Sequence, residues 1–257
     1  MRVQEVNNPV FPDENRLLLA LETSGRFGSV CLHDKDSSDC IELNSSEGSA
    51  KWLAPAIASI LQKHKKSTRD LAAVAVTIGP GSFTGLRVGV ATAKVLAYGL
   101  GIPVVGVDTL EAMAWAASQS DSMQSDLNTN ESLDLWTLLD AYRGELFVAK
   151  WILRRNQFPQ CAIPSRLLSV TEWLTLTESS QMGSSEWIVG QTLPKILKLI
   201  GRSERFKFDE QIVPTASEVA GIALRMWKNG ETTNPFKLMP NYLRRSAAEE
   251  KVDPQRG

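Results

Sequence analysis

Two related α/β lobes, each a mixed sheet flanked by helices, are the fold class this sequence predicts. Three observations predict it. A continuous apolar run, Leu71–Ile78, leads into a glycine-rich turn, a long helical stretch and a second apolar run ending at Asp108; this is the pattern of a strand–helix–strand unit in a sheet buried on both faces. Three strand-like segments and a helix precede that unit, and the same order of elements returns after residue 132, although the residues themselves do not repeat. The chain has 257 residues, 43% of them hydrophobic, which is enough for two lobes that each bury a core.

Taken in order, residues 1–15 are polar and broken by Pro9 and Pro12, and read as a mobile arm. Residues 16–33 give two strands around a Thr-Ser-Gly turn, and Asp39–Leu43 offers a third. From Ser49 to His64, Leu53, Ala56, Ile57, Ile60 and Leu61 recur at helical spacing, with Lys63, Lys65 and Lys66 gathered at the end where they complement the dipole. After Leu71–Ile78, Ser82 or Thr84 caps the next helix, and Gly101 and Pro103 end it. Asp108 with Glu111 opens a short helix through Ala117. Residues 118–132, rich in Ser, Asn and Asp, read as an exposed linker or loop between a first lobe at 16–117 and a second at 133–246.

In the second lobe, residues 133–153 give two strands around a tight Arg-Gly turn, and Cys161–Leu168 a third. Capping boxes at Ser169 with Glu172 and at Thr215 with Glu218 open two helices, Thr192–Ile200 is a further helical stretch, and residues 186–190 and 206–213 supply strands. Residues 247–257 form a polar tail. Three strands, helix, strand, helix, strand, helix, given twice, resembles the element order of the actin, sugar-kinase and Hsp70 superfamily.

Composition narrows the partners. A net charge of −1 gives no global field for nucleic acid, membrane or an acidic substrate. The first residues lack the pattern of a signal peptide, and no apolar run approaches the ~20 residues of a membrane span, so a cytoplasmic protein is expected. Cys31, Cys40 and Cys161 are an odd, widely spaced set with no metal-ligand pattern or disulfide framework, and Cys31 reads as a small buried hydrophobe. His33 and His64, the only histidines, have no second ligand nearby, and no metal site is expected.

Three features carry functional readings beside plainer ones. The segment Gly79–Gly85, GPGSFTG, is either a backbone nest binding phosphate through Gly79 and Gly81 or a tight strand-to-helix turn; it has neither the lysine of a Walker A loop nor the spacing of the dinucleotide fingerprint. Glu22 and Asp140 stand in the turn after the first strand of each lobe, where a carboxylate pair facing a cleft holds a magnesium nucleotide; acids in turns are also simply common. Gly85, Gly89, Ala93 and Ala97 fall at four-residue steps, making a helix face almost without side chains. Packing inside the lobe is the plainer account. The reading favoured here is an interface for a partner helix, shared with Trp52, Leu53, Ala56, Ile57 and Ile60.

Residues 75–110, AVTIGPGSFTGLRVGVATAKVLAYGLGIPVVGVDTL, together with LLALETS, LDAYRGELFVAKW and PNYLRR, resemble the TsaB (YeaZ-like) family over roughly residues 16–246. Members are dimerization subunits of the bacterial machinery that makes threonylcarbamoyladenosine in tRNA. The resemblance implies a two-lobed actin-like fold and a heterodimer with a TsaD-like catalytic subunit, or a homodimer when alone. It also implies assembly with a TsaE-like ATPase and contact with tRNA only through the complex. No catalysis or cofactor is implied here; ATP and metal belong to the partner subunits, since TsaD holds its metal with paired histidines on the helix matching Ser49–His64, and this chain has none in GSAKWLAP. Two other classes stand against this expectation: an ATP-dependent phosphoryl or carbamoyl transferase using Glu22, Asp140 and the glycine turn, and a homodimeric binding module unrelated to tRNA.

Overall fold

The computed structural model describes residues 17–34, 37–43, 49–178, 186–190 and 206–244. The first sheet is built from β1 (Leu17–Glu22), β2 (Ser29–His33), β3 (Ser38–Glu42), β4 (Leu71–Gly79) and β5 (Val104–Asp108), in the order β3-β2-β1-β4-β5. β1 runs antiparallel to β2 and parallel to β4, so it is central, and all six of its residues are buried. That double burial is why its sequence, LLLALE, lacks the alternation of a half-exposed strand. The helices α1 (Ser49–Lys63) and α2 (Phe83–Leu100) share a core with Leu19, Leu21, Val30, Leu32, Val74 and Val76 on one face of this sheet.

The second sheet contains β6 (Leu133–Tyr142), β7 (Glu145–Leu153), β8 (Gln160–Ser169), β9 (Glu186–Val189) and β10 (Phe206–Asp209), ordered β10-β9-β6-β7-β8. Numbered within its own half of the chain, each sheet has the order 3-2-1-4-5. The first three strands form an antiparallel meander, and the fourth pairs parallel with the first. This duplicated mixed sheet is the actin-like arrangement that the element order foretold. The two faces of the second sheet carry separate cores. Trp136 and Trp173 meet edge-on at 6.1 Å on the side of α5 (Val170–Glu178), while Leu135, Trp151 and Trp187 lie on the side of α3 (Thr109–Ser118) and α4 (Asp121–Leu127).

Both capping boxes form. The Ser169 amide donates to Glu172 and the Glu172 amide to the Ser169 hydroxyl, at 2.7 and 3.1 Å; Thr215 and Glu218 do the same at the start of α6 (Ala216–Lys228). The expected helix at Thr192–Ile200, the arm at 1–15 and the tail at 247–257 lie outside the described residues. Among the described residues no helix is long and apolar enough to cross a membrane.

Two expectations about domain layout need correction. The stretch 118–132 contains a helix, α4: Ser120 caps it by accepting from the Met123 amide, and Met123 and Leu127, one turn apart, are buried in the second core. Asp126 ties it down further, accepting from the Trp187 indole at 2.9 Å and pairing with Lys207 at 2.5 Å. Polar composition hid a two-residue apolar stripe. Nor do the lobes divide at residues 117 and 133. One compact unit comprises 1–78, 84–107 and 215–239; the other comprises 79–83, 108–214 and 240–257. The reason is an exchange of helices. The buried face of α6, including Val219, Ala220, Ile222 and Ala223, packs on β1, β2 and β3, and its first amide donates to the Ser29 hydroxyl at 2.8 Å. Meanwhile Leu110, Met113, Ala114 and Ala117 of α3 pack over β6 and β7.

Candidate functional site

The C-terminal end of β1 holds the most unusual acid in the chain. Glu22 is fully buried, and its Oε1 accepts from the Ser24 amide at 2.7 Å and from the Ser24 hydroxyl. Its Oε2 is buried with no hydrogen-bond partner, as is the Thr23 hydroxyl next to it. Burial pushes the carboxyl up to about 7, against the pull of the Ser24 contacts. A carboxyl held this way keeps its proton up to near-neutral pH and already fixes its own turn. That suits a structural acid better than a magnesium ligand, which must be ionised.

Asp140, in the second unit, is half-buried, and its Oδ1 accepts from the Tyr142 amide at 2.8 Å. It thereby starts the tight turn expected at Arg143-Gly144, in which Tyr142, Arg143 and Gly144 all have left-handed φ of 61°, 56° and 79°. Sequence reasoning missed the group that locks this turn. Arg244 donates to the carbonyls of Ala141 and Tyr142 and pairs with Glu145 at 3.4 Å. Its place near the chain's end gave no sign of that target, and its neighbour Arg245 lies outside the described residues.

In the glycine turn, Gly79 has φ of 116°, a conformation that favours glycine, and the Gly79–Pro80 peptide is cis. α2 starts at Phe83, so Ser82 stands at the position before the first helical residue and Thr84 lies inside the helix. Gly81 follows the proline, and the geometry of the segment is that of a sharp strand-to-helix connection. Among the described residues no three His, Cys, Asp or Glu side chains come together to hold a metal ion.

The small-residue stripe does not face outward. Gly85, Gly89, Ala93 and Ala97 are all buried, and a Cβ on Gly89 would lie 2.2 Å from the Thr23 hydroxyl oxygen. The stripe lets α2 press onto its own sheet at the end of β1, so the favoured reading of it as a partner interface is corrected to internal packing. The same holds for Leu53, Ala56, Ile57 and Ile60 of α1, which are in the first core; Trp52 is half-buried against it. What these helices show to solvent is their other side. On α1 this side presents Lys51, Ala54, Pro55, Ala58, Ser59 and Gln62; on α2 it presents Thr84, Arg87, Ala91, Val95 and Tyr98. Val95 and Tyr98 are 70% and 65% exposed, and Phe236, packed against Tyr98, is 68% exposed. Tyr98 and Phe236 meet edge-on at 4.8 Å, and Lys94 reaches the Phe236 carbonyl at 3.4 Å, so the patch is one continuous surface. Helical spacing predicts Val95 and Tyr98 opposite the stripe; nothing in the sequence brings Phe236 to them.

Comparison with known proteins places this arrangement. The family model of TsaD, described as tRNA N6-adenosine threonylcarbamoyltransferase, matches residues 44–251. A protein of Escherichia coli (strain K12), named tRNA threonylcarbamoyladenosine biosynthesis protein TsaB, is 30% identical over 240 residues, 91% of this chain and 97% of the relative. The chain belongs to the TsaB (YeaZ-like) family. A TsaB protein of Bacillus subtilis (strain 168) is 27% identical over 241 residues, 91% of this chain and 96% of the relative. The solved structure of YeaZ from Pseudomonas aeruginosa superposes with a TM-score of 0.72 at 21% identity, covering 89% of this chain and all of that one, and shares the fold. TsaB relatives are named for threonylcarbamoyladenosine biosynthesis, and the chain has that family's two-sheet architecture along nearly its whole length.

Proposed function

We propose that this chain is a non-catalytic scaffold that binds a TsaD-like catalytic subunit and supports threonylcarbamoyl transfer to the tRNA adenosine beside the anticodon. A TsaE-like ATPase joins the same assembly in this reading, ATP and metal sit on the partners, tRNA is reached through the complex, and the work is done in the cytoplasm. The single observation that carries it, beyond family membership, is the exposed patch of Val95, Tyr98 and Phe236 on the weakly charged outer side of α2. Large apolar side chains clustered in this way mark a docking surface. The transferase alternative finds less support, because Glu22 is buried, holds its proton up to near-neutral pH and is engaged by Ser24, and Asp140 is engaged in its turn.

The test is titration calorimetry of the full chain against a TsaD-like subunit, with Val95→Glu as the perturbation. Placing a charge at the centre of the patch should lower affinity at least tenfold, ~1.4 kcal/mol, with the thermal midpoint of the free chain unchanged. Unaltered affinity moves the interface elsewhere. Magnesium-dependent ATP hydrolysis by the chain alone, lost in Asp140→Asn, would replace the scaffold reading with the transferase one. Self-association that Val95→Glu abolishes, with no binding to the TsaD-like subunit, would favour the homodimeric module.

A further inference from the structure

Cys31 and Cys40 lie nine positions apart in sequence, and the β2–β3 hairpin turns that spacing into a direct pair. In the register of the two strands Cys31 stands opposite Cys40. The hydrogen-bond phase of the hairpin fixes how close they come. Leu43 donates its amide to the Gly28 carbonyl at 2.8 Å, and Asp34 donates to Ser37 at 3.0 Å, so residue pairs 28/43 and 34/37 belong to the bonded set. In an antiparallel ladder the bonded and non-bonded pairs alternate, which puts Cys31 and Cys40 in the non-bonded set, with Cα atoms ~4.5 Å apart and side chains on one face. That separation lies within the ~4.4–6.8 Å that a disulfide spans, at its short end.

The face they share is the one under α6. Val30, Leu32 and Ile41 point into the core beneath α1 and α2, and by the two-residue period of a strand Cys31 and Cys40 point the other way. There the first turn of α6 brings Ser217 to Cys40, and Ser38 lies at Cys31. Cys31 is buried and Cys40 is exposed. One thiol is therefore open to a solute oxidant while its resolving partner is held beside it, dry. From this geometry we infer that Cys31 and Cys40 form a reversible dithiol/disulfide site on the edge hairpin of the first sheet.

Exposure assigns the attacking role to Cys40, the thiol that a solute oxidant reaches; the neighbouring Cys31 lowers its pKa, while partial burial, Glu218 and Asp39 oppose its ionisation. With a hydroperoxide as oxidant, the Cys40 thiolate attacks one peroxide oxygen. The O–O bond breaks, and the leaving oxygen takes a proton to become water or an alcohol. Cys31 sulfur then attacks the resulting sulfenic sulfur, the S–O bond breaks, and hydroxide leaves as water with the proton from Cys31. Two thiols give up two electrons and the peroxide gains them. A dithiol reductant reverses the reaction by exchange, attacking one sulfur and releasing the other. β3 is an edge strand paired on one side to β2 alone, so the cross-link fastens a strand that the rest of the sheet holds from one side only.

The test uses the full chain with Cys161→Ser, which removes the other exposed thiol. One equivalent of hydrogen peroxide per chain should lower the mass by ~2 Da, abolish both remaining titratable thiols, and yield a single linked peptide joining Cys31 to Cys40. Dithiothreitol should restore both thiols. Amide exchange across residues 38–42 should slow in the oxidised form. Cys40→Ser should leave Cys31 unmodified under the same oxidant, with near-ultraviolet circular dichroism confirming that the variant is folded. A Cys40 that proceeds to sulfinic acid while Cys31 stays reduced would overturn the assignment, as would linkage only between separate chains.

Discussion

Replacing Gly89 by alanine sets two effects of opposite sign against each other, and the structure says which wins. In an exposed helix interior the change would stabilise the protein by ~1 kcal/mol, because glycine has the larger backbone entropy to lose. At Gly89 the added carbon would lie 2.2 Å from the Thr23 oxygen and 3.3 Å from its Cβ and Cγ2, with Thr23 fully buried at the end of β1. The first contact is far inside any van der Waals distance, and Thr23 is β-branched and stiff. Moving α2 off the sheet or forcing that rotamer costs ~1–3 kcal/mol, more than the helix gains. We expect Gly89→Ala to lower the thermal midpoint by a few degrees, at ~2–4 °C per kcal/mol for a unit of this size. In a Thr23→Ala background the oxygen and Cγ2 are gone and only the 3.3 Å approach to Cβ remains, so the same substitution should become close to neutral. Calorimetry on the four proteins of this double-mutant cycle should give a coupling of ~1–3 kcal/mol. If Gly89→Ala stabilises the parent chain, or the cycle shows no coupling, then α2 does not press on β1 and the internal account of the stripe fails.

Two further predictions follow from the same unit. Burial holds the Glu22 carboxyl at about 7 when folded against its ordinary 4.5, so the folded chain binds the extra proton between those limits; the contribution of Glu22 to stability is full below pH 4.5 and falls by about 3 kcal/mol as pH rises through 7. Denaturant titrations at pH 5 and pH 8 should show that drop in the parent chain and a smaller one in Glu22→Gln; equal drops would place the titrating group elsewhere. Thr215→Ala removes the acceptor for the Ser217 and Glu218 amides of α6 and half of its capping box, and should cost ~1 kcal/mol in the same titration. A loss under a few tenths would mean that packing on β1 and β2, and not the cap, fixes where α6 begins.

Most of the fold was legible because its signals are local. Leu71–Gly79 announces itself by unbroken hydrophobicity, the Thr215 and Glu218 box by two residues at fixed spacing, and the β6–β7 hairpin by Arg143-Gly144 between apolar runs. What escaped depends on which surface an element meets. The pattern of α6 says that Val219, Ile222 and Ala223 are buried, but a stripe carries no address, and only the folded chain shows that it covers β1 and β2. In the same way α4 rests on two buried residues, Met123 and Leu127, too few to rise above the polar residues around them.

The candidate interface was misplaced for a related reason, and the correction points to the surface proposed in its place. A helix face of glycine and alanine signals close approach by backbone, yet it does not say whether a foreign helix or the helix's own sheet makes that approach. Burial of Ala93 and Ala97, with Gly89 against Thr23, shows that the sheet does. Because an α-helix turns 3.6 residues at a time, a stripe at 85, 89, 93 and 97 necessarily turns Arg87, Ala91, Val95 and Tyr98 toward the far side. The stripe thus acts on docking at one remove. By bringing α2 down onto β1 it fixes how far Val95 and Tyr98 stand above the sheet and lets Phe236 close against Tyr98. A substitution in the stripe should therefore disturb partner binding only in proportion to its loss of stability, whereas one at Val95 should disturb binding alone.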